Sequence, residues 1–178
     1  MNTKSKPNLF IIGAMKSGTT YLHDLLSSHP EIFMSKIKEP CFFVKSHELK
    51  EFAPSMWNMG ISENQDKYFQ LFENLTNEKI VGESSTLYAK YPTLSGVPEK
   101  IYNFNPDAKF IYVMRDPIER TLSHFWHNVR VESRMADLSE GIKSDPHYMN
   151  VSYYAAQIKQ YLQFFDKNQF FFCTFEGM

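Results

Sequence analysis

Apolar residues fall along this chain in two alternating patterns. Short continuous runs at Asn8–Ile12 (closed by Gly13), Ile80–Glu83, Lys109–Met114 and Phe170–Thr174 have the length and the β-branched or aromatic content of buried strands. Between them lie stretches with helical spacing. Leu22, Leu25 and Leu26 define a helix over Thr19–Ser28 that His29-Pro30 stops. Pro98 opens a second, carrying Ile101, Tyr102 and Phe104. Asp116-Pro117-Ile118-Glu119 supplies an N-cap, a proline at the first helical position and an acid in the first turn, and predicts a helix to about Arg130. Tyr154, Ile158, Tyr161, Leu162 and Phe165 share one face of another. Ser62-Glu63-Asn64-Gln65 has capping-box spacing and is expected to open a helix through about Phe72. Ile32–Ser35 and Cys41–Val44 are expected as short extended pieces. Strands alternating with helices predict an α/β fold with a central parallel sheet flanked by helices in three layers, where ligands gather at the carboxyl ends of strands.

No repeat, low-complexity tract or linker interrupts this pattern, so residues 1–178 are expected to form a single domain. With 43% hydrophobic and 16% aromatic residues, a packed core is within reach and disorder is not expected. The 19 Lys and Arg against 20 Asp and Glu argue against a general nucleic-acid binder, which carries a basic excess, while leaving room for a local cationic pocket. Leu9–Met15 and Phe110–Met114, the longest strongly apolar runs, fall far short of the ~20 residues of a membrane span, and Met1–Pro7 lacks the apolar stretch of a signal peptide. The 2 cysteines, Cys41 and Cys173, sit in apolar segments and are expected as buried thiols rather than a disulfide. These features lead us to expect a soluble, cytoplasmic protein with no membrane partner.

Two strand ends carry the chemistry. After the first strand comes Gly13-Ala14-Met15-Lys16-Ser17-Gly18-Thr19-Thr20 and then a helix. This is the frame of a P-loop, G-x-x-x-x-G-K-[ST], with Thr19 where the lysine belongs and Lys16 three positions earlier. Gly18 permits the tight bend, the following amides point at an anion on the helix N-terminus, and Thr19 and Thr20 add hydroxyls. A nucleoside-triphosphate enzyme needs the displaced lysine and usually a carboxylate-held Mg²⁺, and Asp116 is better used as an N-cap than as that carboxylate. The second strand end is Met114-Arg115-Asp116-Pro117-Ile118-Glu119-Arg120-Thr121-Leu122-Ser123. Arg115 leaves the strand just before the cap and Ser123 follows about two turns into the helix, so a guanidinium and a hydroxyl have the spacing to converge on one phosphate.

These residues resemble the sulfotransferases that use 3′-phosphoadenosine 5′-phosphosulfate (PAPS) as donor. Phe10–Thr20, continuing through Leu22 to His29-Pro30, is similar to the family's 5′-phosphosulfate loop, and R-D-P-x-x-R-x-x-S is the usual form of its 3′-phosphate motif. Lys38-Glu39-Pro40-Cys41-Phe42-Phe43 and Gly82-Glu83-Ser84-Ser85-Thr86-Leu87-Tyr88 are similar to segments of the heparan-sulfotransferase-like branch and its bacterial relatives. The resemblance covers nearly the whole chain. It implies that Ser17, Gly18, Thr19 and Thr20 hold the 5′-phosphosulfate, that Lys16 contacts the bridging oxygen and stabilises the leaving phosphate, and that Arg115 and Ser123 bind the 3′-phosphate. It further implies Glu39 as general base, 3′-phosphoadenosine 5′-phosphate (PAP) as product, no metal, and a small-molecule or glycan acceptor. His23, His124 and His127 remain rival bases; His124 and His127 at i,i+3 have the spacing to share a metal, without an apparent third ligand.

Two departures qualify the resemblance. Ser84 stands where several heparan enzymes carry a lysine. The chain also stops at Phe175-Glu176-Gly177-Met178, where family members continue into a glycine- and lysine-containing loop over the 3′-phosphate; weak PAPS binding is expected if these residues are the whole protein. A P-loop small-molecule kinase and a non-catalytic nucleotide-binding module are the competing readings. The acceptor and the oligomeric state are not encoded in any motif.

Overall fold

The computed structural model describes residues 6–132 and 137–178. Its elements are β1 (Leu9–Gly13), α1 (Thr19–Ser27), β2 (Ile32–Met34), α2 (Ser46–Phe52), α3 (Pro54–Trp57), α4 (Gln65–Gln70), β3 (Ile80–Ser84), α5 (Val97–Phe104), β4 (Lys109–Met114), α6 (Pro117–Glu132), α7 (Leu138–Ser144), α8 (His147–Asn150), α9 (Tyr154–Tyr161) and β5 (Phe170–Thr174). The strands form one sheet in the order β2-β3-β1-β4-β5, every neighbouring pair parallel. The chain leaves the central β1 toward one side of the sheet, returns through β3, and crosses to β4 on the other side. That reversal makes β1 the topological switch point, and it sets the loops after β1, β3 and β4 side by side at the carboxyl edge.

The sheet is built as its sequence pattern requires. Phe10, Ile11 and Ile12 are fully buried, as expected of a strand covered on both faces. Phe10 is opposite Phe110 in register, with the rings stacked at 5.9 Å. Phe43 meets Phe10 edge-on at 5.8 Å, Phe42 stacks on Tyr68 at 4.1 Å, and Phe110 packs against Phe165 at 4.6 Å. The aromatic richness of the chain is thus largely spent in the core. Asp116 caps α6 as predicted, its Oδ1 accepting from the amides of Ile118 and Glu119 at 3.0 and 2.9 Å.

Three expectations need correction. The cap of α4 is Asn64, whose side chain accepts from Lys67 N, and not Ser62; Ser62 Oγ donates instead to Val44 O at 2.7 Å. Helix α4 accordingly ends at Gln70. Cys41–Val44 is a turn rather than an extended piece, closed by Val44 N to Cys41 O at 3.1 Å. Helix α9 stops at Tyr161, yet Phe165 beyond it is still buried. Among the described residues, no helix is long and apolar enough to cross a membrane.

Candidate active site

A cavity of about 430 Å³ opens at the carboxyl edge beside β1, walled by the loops after β1, β3 and β4. Lys16, Gly18, Thr19 and Thr20 come from the first of these, Thr86 and Leu87 from the second, and Arg115 from the third; Lys38, Glu39, Met56, His127 and Phe175 complete the wall. In the first loop Lys16 and Gly18 both take left-handed backbone, with φ of 69° and 83°. The first helical bond of α1 runs from Leu22 N to Gly18 O at 3.1 Å, so the amides of Thr19, Thr20 and Tyr21 stand outside the helical ladder at its positive end. Ser17 is fully buried, and its Oγ has no partner among the described residues. A Cβ on Gly18 would stand 2.8 Å from both Phe175 and Met178 side chains, so glycine is what lets the residues after β5 pack onto the loop.

Glu39 lies on a turn that the loop after β3 pins from several sides. Glu39 has φ 59° and Cys41 φ 54°, both unfavourable for residues with a Cβ. The turn is held by Glu39 N to Ser84 O at 2.7 Å and Cys41 N to Ser85 Oγ at 3.2 Å. The Glu39 carboxylate is fully engaged on its flanks: Thr86 N donates to Oε2 at 2.7 Å, Thr86 Oγ1 to Oε1 at 3.0 Å, and Lys38 Nζ to Oε1 at 2.7 Å. Beneath it Glu83, fully buried on β3, accepts from Tyr68 and Tyr88 hydroxyls at 2.7 and 2.8 Å and from Ser85 Oγ at 2.9 Å.

At the end of β4, Arg115 faces the cavity with its guanidinium 4.9 Å from the Phe175 ring centre and Nη2 3.4 Å from Glu119 Oε2. Ser123 is half-buried on α6 and is not part of the cavity wall, so the structure brings Arg115 to the cavity and leaves its expected partner beside it. The three histidines separate cleanly. His127 lines the cavity, one turn beyond Ser123 on the same face of α6. His124 points inward to Arg120, with Nδ1 3.3 Å from Nη1, so His124 and His127 do not share a ligand position. His23 is buried with Nδ1 2.8 Å from Ser84 Oγ, in the place where a lysine was noted as missing. Among the described residues no cluster of three or more His, Cys, Asp or Glu has the geometry to hold a metal ion.

The cavity's charge is cationic around the loop. Burial lowers the Lys16 ammonium from its ordinary value, and the nearby Arg130, Arg115 and Lys38 push the same way. His127 is lowered by burial and then by Lys16, Arg130 and Lys90. Cations that depress one another's protonation are relieved when an anion enters among them. Lys16, the free first-turn amides, Thr19, Thr20 and Arg115 therefore fit a ligand with at least two anionic groups, while Ser17 lies buried beneath the loop and is not part of the cavity wall. Lys38, next to Glu39 in sequence, and Thr86, whose role sequence alone did not indicate, complete the surroundings of Glu39.

A family model described as the sulfotransferase family matches residues 7–178. The chain is 33% identical over 124 residues to the membrane-associated sulfotransferase kil1 of Dictyostelium discoideum, covering 70% of this chain and 23% of that protein. It is 28% identical over 170 residues to carbohydrate sulfotransferase 15 of Mus musculus, covering 76% of this chain and 30% of that protein. The chain thus spans less than a third of the length of these curated relatives. The crystal structure of a sulfotransferase from Alicyclobacillus acidocaldarius superposes with a TM-score of 0.85 at 33% identity, over 97% of this chain and 74% of that one. The sulfotransferase domain from the curacin biosynthetic pathway shares the fold, with a TM-score of 0.57 at 17% identity over 96% and 67% of the respective chains.

Proposed function

The chain belongs to the sulfotransferase family, and on that premise we propose that it transfers a sulfonate from PAPS to a hydroxyl, or to an amine, of a small-molecule or glycan acceptor. The observation that carries this reading is the convergence of Lys16, the α1 amides, Arg115 and Glu39 on one cavity. PAPS supplies an activated sulfonate on a phosphate leaving group; the protein's part is to hold it, neutralise the charge that develops, and remove the acceptor's proton. Lys16 projects from the loop that binds the 5′ end, so its ammonium lies where negative charge grows on the departing phosphate. The Ser17–Thr20 segment offers backbone and hydroxyl donors to the 5′-phosphosulfate. Arg115 offers a planar fork to the 3′-phosphate, and Ser123, on the same face of α6 as His127, is its proposed partner. Glu39 accepts the acceptor's proton; its bonds to Lys38 and Thr86 leave the carboxylate oriented rather than mobile.

Glycan acceptors are included because one relative is named a carbohydrate sulfotransferase. A single sulfotransferase domain in the cytoplasm is part of the same proposal, supported by one continuous family match and by two unpaired thiols, Cys41 and Cys173. An ATP-dependent kinase has no comparable support: Asp116 is committed to the α6 cap and Thr19 occupies the lysine position. The test is release of PAP from PAPS across a panel of phenols, alcohols and oligosaccharides. Transfer that disappears in Lys16→Ala, in a variant that melts like the parent, is the expected result; undiminished transfer in that variant removes Lys16 from the chemistry.

A further inference from the structure

Behind the phosphate loop lie two cations that touch no carboxylate among the described residues. Lys90 is 2% exposed, with Nζ 2.9 Å from Met15 Sδ, 3.1 Å from His147 Nε2 and 5.5 Å from the Phe52 ring centre. Arg120 is fully buried and donates to Ser152 Oγ at 2.6 Å, Thr121 Oγ1 at 3.1 Å, Met15 O at 3.4 Å and Tyr148 O. Every one of these partners is neutral, and the ion pairs of the described residues involve other side chains. A buried ion without a counter-charge is strongly unfavourable and is retained only where something compensates it. Both cations grip the same residue, Met15, one by its thioether and the other by its carbonyl. Met15 immediately precedes Lys16 and itself lines the cavity.

We propose that Lys90, with Arg120 beside it, is a buried counter-charge for the anion held by the β1–α1 loop, so that donor binding draws a proton onto Lys90. This rests on the reading of that loop as the phosphosulfate cradle. Lys90 is then a positioning residue: it acts on the anion through Met15 and through its field, not by contact.

The surroundings of Lys90 are consistent with a change of protonation. Burial lowers its ammonium from 10.5 to about 7; Glu39 opposes that, Arg120 adds to it, and Cys41 and Asp145 oppose it. His147 and His124 face it from α8 and α6, and burial holds them neutral, at about 3 and about 2. The Cys41 thiol is pushed up, first by burial, and is uncharged near neutrality. Burial thus brings the amine form of Lys90 within reach of neutral pH, and an anion in the loop favours the ammonium. Because binding takes up a proton, affinity falls as pH rises above about 7.

The experiment is calorimetric titration with PAP at several pH values from 7.5 upward, where phosphate monoesters, with a second pKa of about 6, are already doubly ionised. Each titration is repeated in two buffers of different ionisation enthalpy. The parent is expected to show net proton uptake and an affinity that declines with pH. Lys90→Met is expected to take up fewer protons than the parent, with a shallower decline of affinity with pH, what remains coming from Lys16 and His127, and to bind PAP on the order of tenfold more weakly at pH 7.5. Its ligand-free melting temperature should rise, since an apolar isostere replaces a buried ion. A lysine with a merely structural role would lower stability and leave the proton count unchanged. PAP binding by the parent without proton uptake overturns the inference, whatever the variant does. A folded parent that binds no PAP overturns the donor reading itself, and the inference with it.

Discussion

Glu83 offers a sharp test of how the floor of the site is held. Its carboxyl is fully enclosed, accepts three hydroxyl hydrogen bonds, and through Ser85 Oγ steadies the Cys41 amide on the turn that carries Glu39. Burial raises it from 4.5 to about 7, outweighing the three bonds, which act downward. In the unfolded chain the same group titrates at its ordinary value. Between 4.5 and about 7 the native protein therefore binds more protons than the unfolded one, and stability falls as pH rises through that window. Each pH unit of the separation is worth about 1.4 kcal/mol, so the whole effect is on the order of 3 kcal/mol. Glu83→Gln keeps an acceptor oxygen for the two tyrosines and removes the titration. Urea unfolding of parent and variant at about pH 5 and about pH 7.5 reads the difference directly. His124 and His147, buried neutral, make stability rise with pH toward 6.5 in both proteins and cancel on subtraction. Of the Glu83 effect, about 2.4 kcal/mol falls between the two conditions, so the parent should lose about that much relative to the variant. Parallel pH profiles would refute the assignment of Glu83 as an enclosed, proton-binding carboxyl.

Gly18→Ala puts a Cβ at a left-handed position and against Phe175 and Met178. The backbone contribution is about 1–2 kcal/mol, and half-exposed Phe175 is displaced from Arg115, so unfolding free energy and PAP affinity should both drop; an unchanged urea midpoint contradicts the packing described. Glu39→Gln should keep PAP affinity, since the donor contacts lie elsewhere, and lose transfer by about 10²–10⁴-fold. If transfer persists in that variant, His127, on the same cavity wall, becomes the base to examine.

The strands and the two strand ends were legible because their signals are local. A buried parallel strand is a short apolar run, and an N-cap followed by proline announces its helix; Asn8–Ile12 and Asp116-Pro117 needed no tertiary knowledge. Ser62 failed as a cap for a tertiary reason: its hydroxyl is taken by Val44 O, and Asn64 supplies the side chain two residues later. The turn at Glu39–Cys41 was invisible because its left-handed backbone is imposed by Ser84 and Ser85, more than forty residues away. The Lys90 cluster was equally hidden. Nothing in Tyr88-Ala89-Lys90-Tyr91 marks a buried cation, and its neighbours come from distant parts of the chain: Met15 from the loop after β1, Arg120 and His124 from α6, and His147 from α8. Of the two residues expected at a 3′-phosphate, Arg115 lines the cavity and Ser123 does not, a difference that their spacing on β4 and α6 alone did not reveal.

The most direct measurement is calorimetric binding of PAP, with and without Mg²⁺, beside ATP and in Arg115→Ala. The account predicts PAP binding that ignores the metal, exceeds that of ATP, and weakens at least tenfold when the Arg115 guanidinium is removed, about the loss of one charge-assisted pair. A folded protein that prefers Mg·ATP, or binds PAP equally well without Arg115, would contradict it.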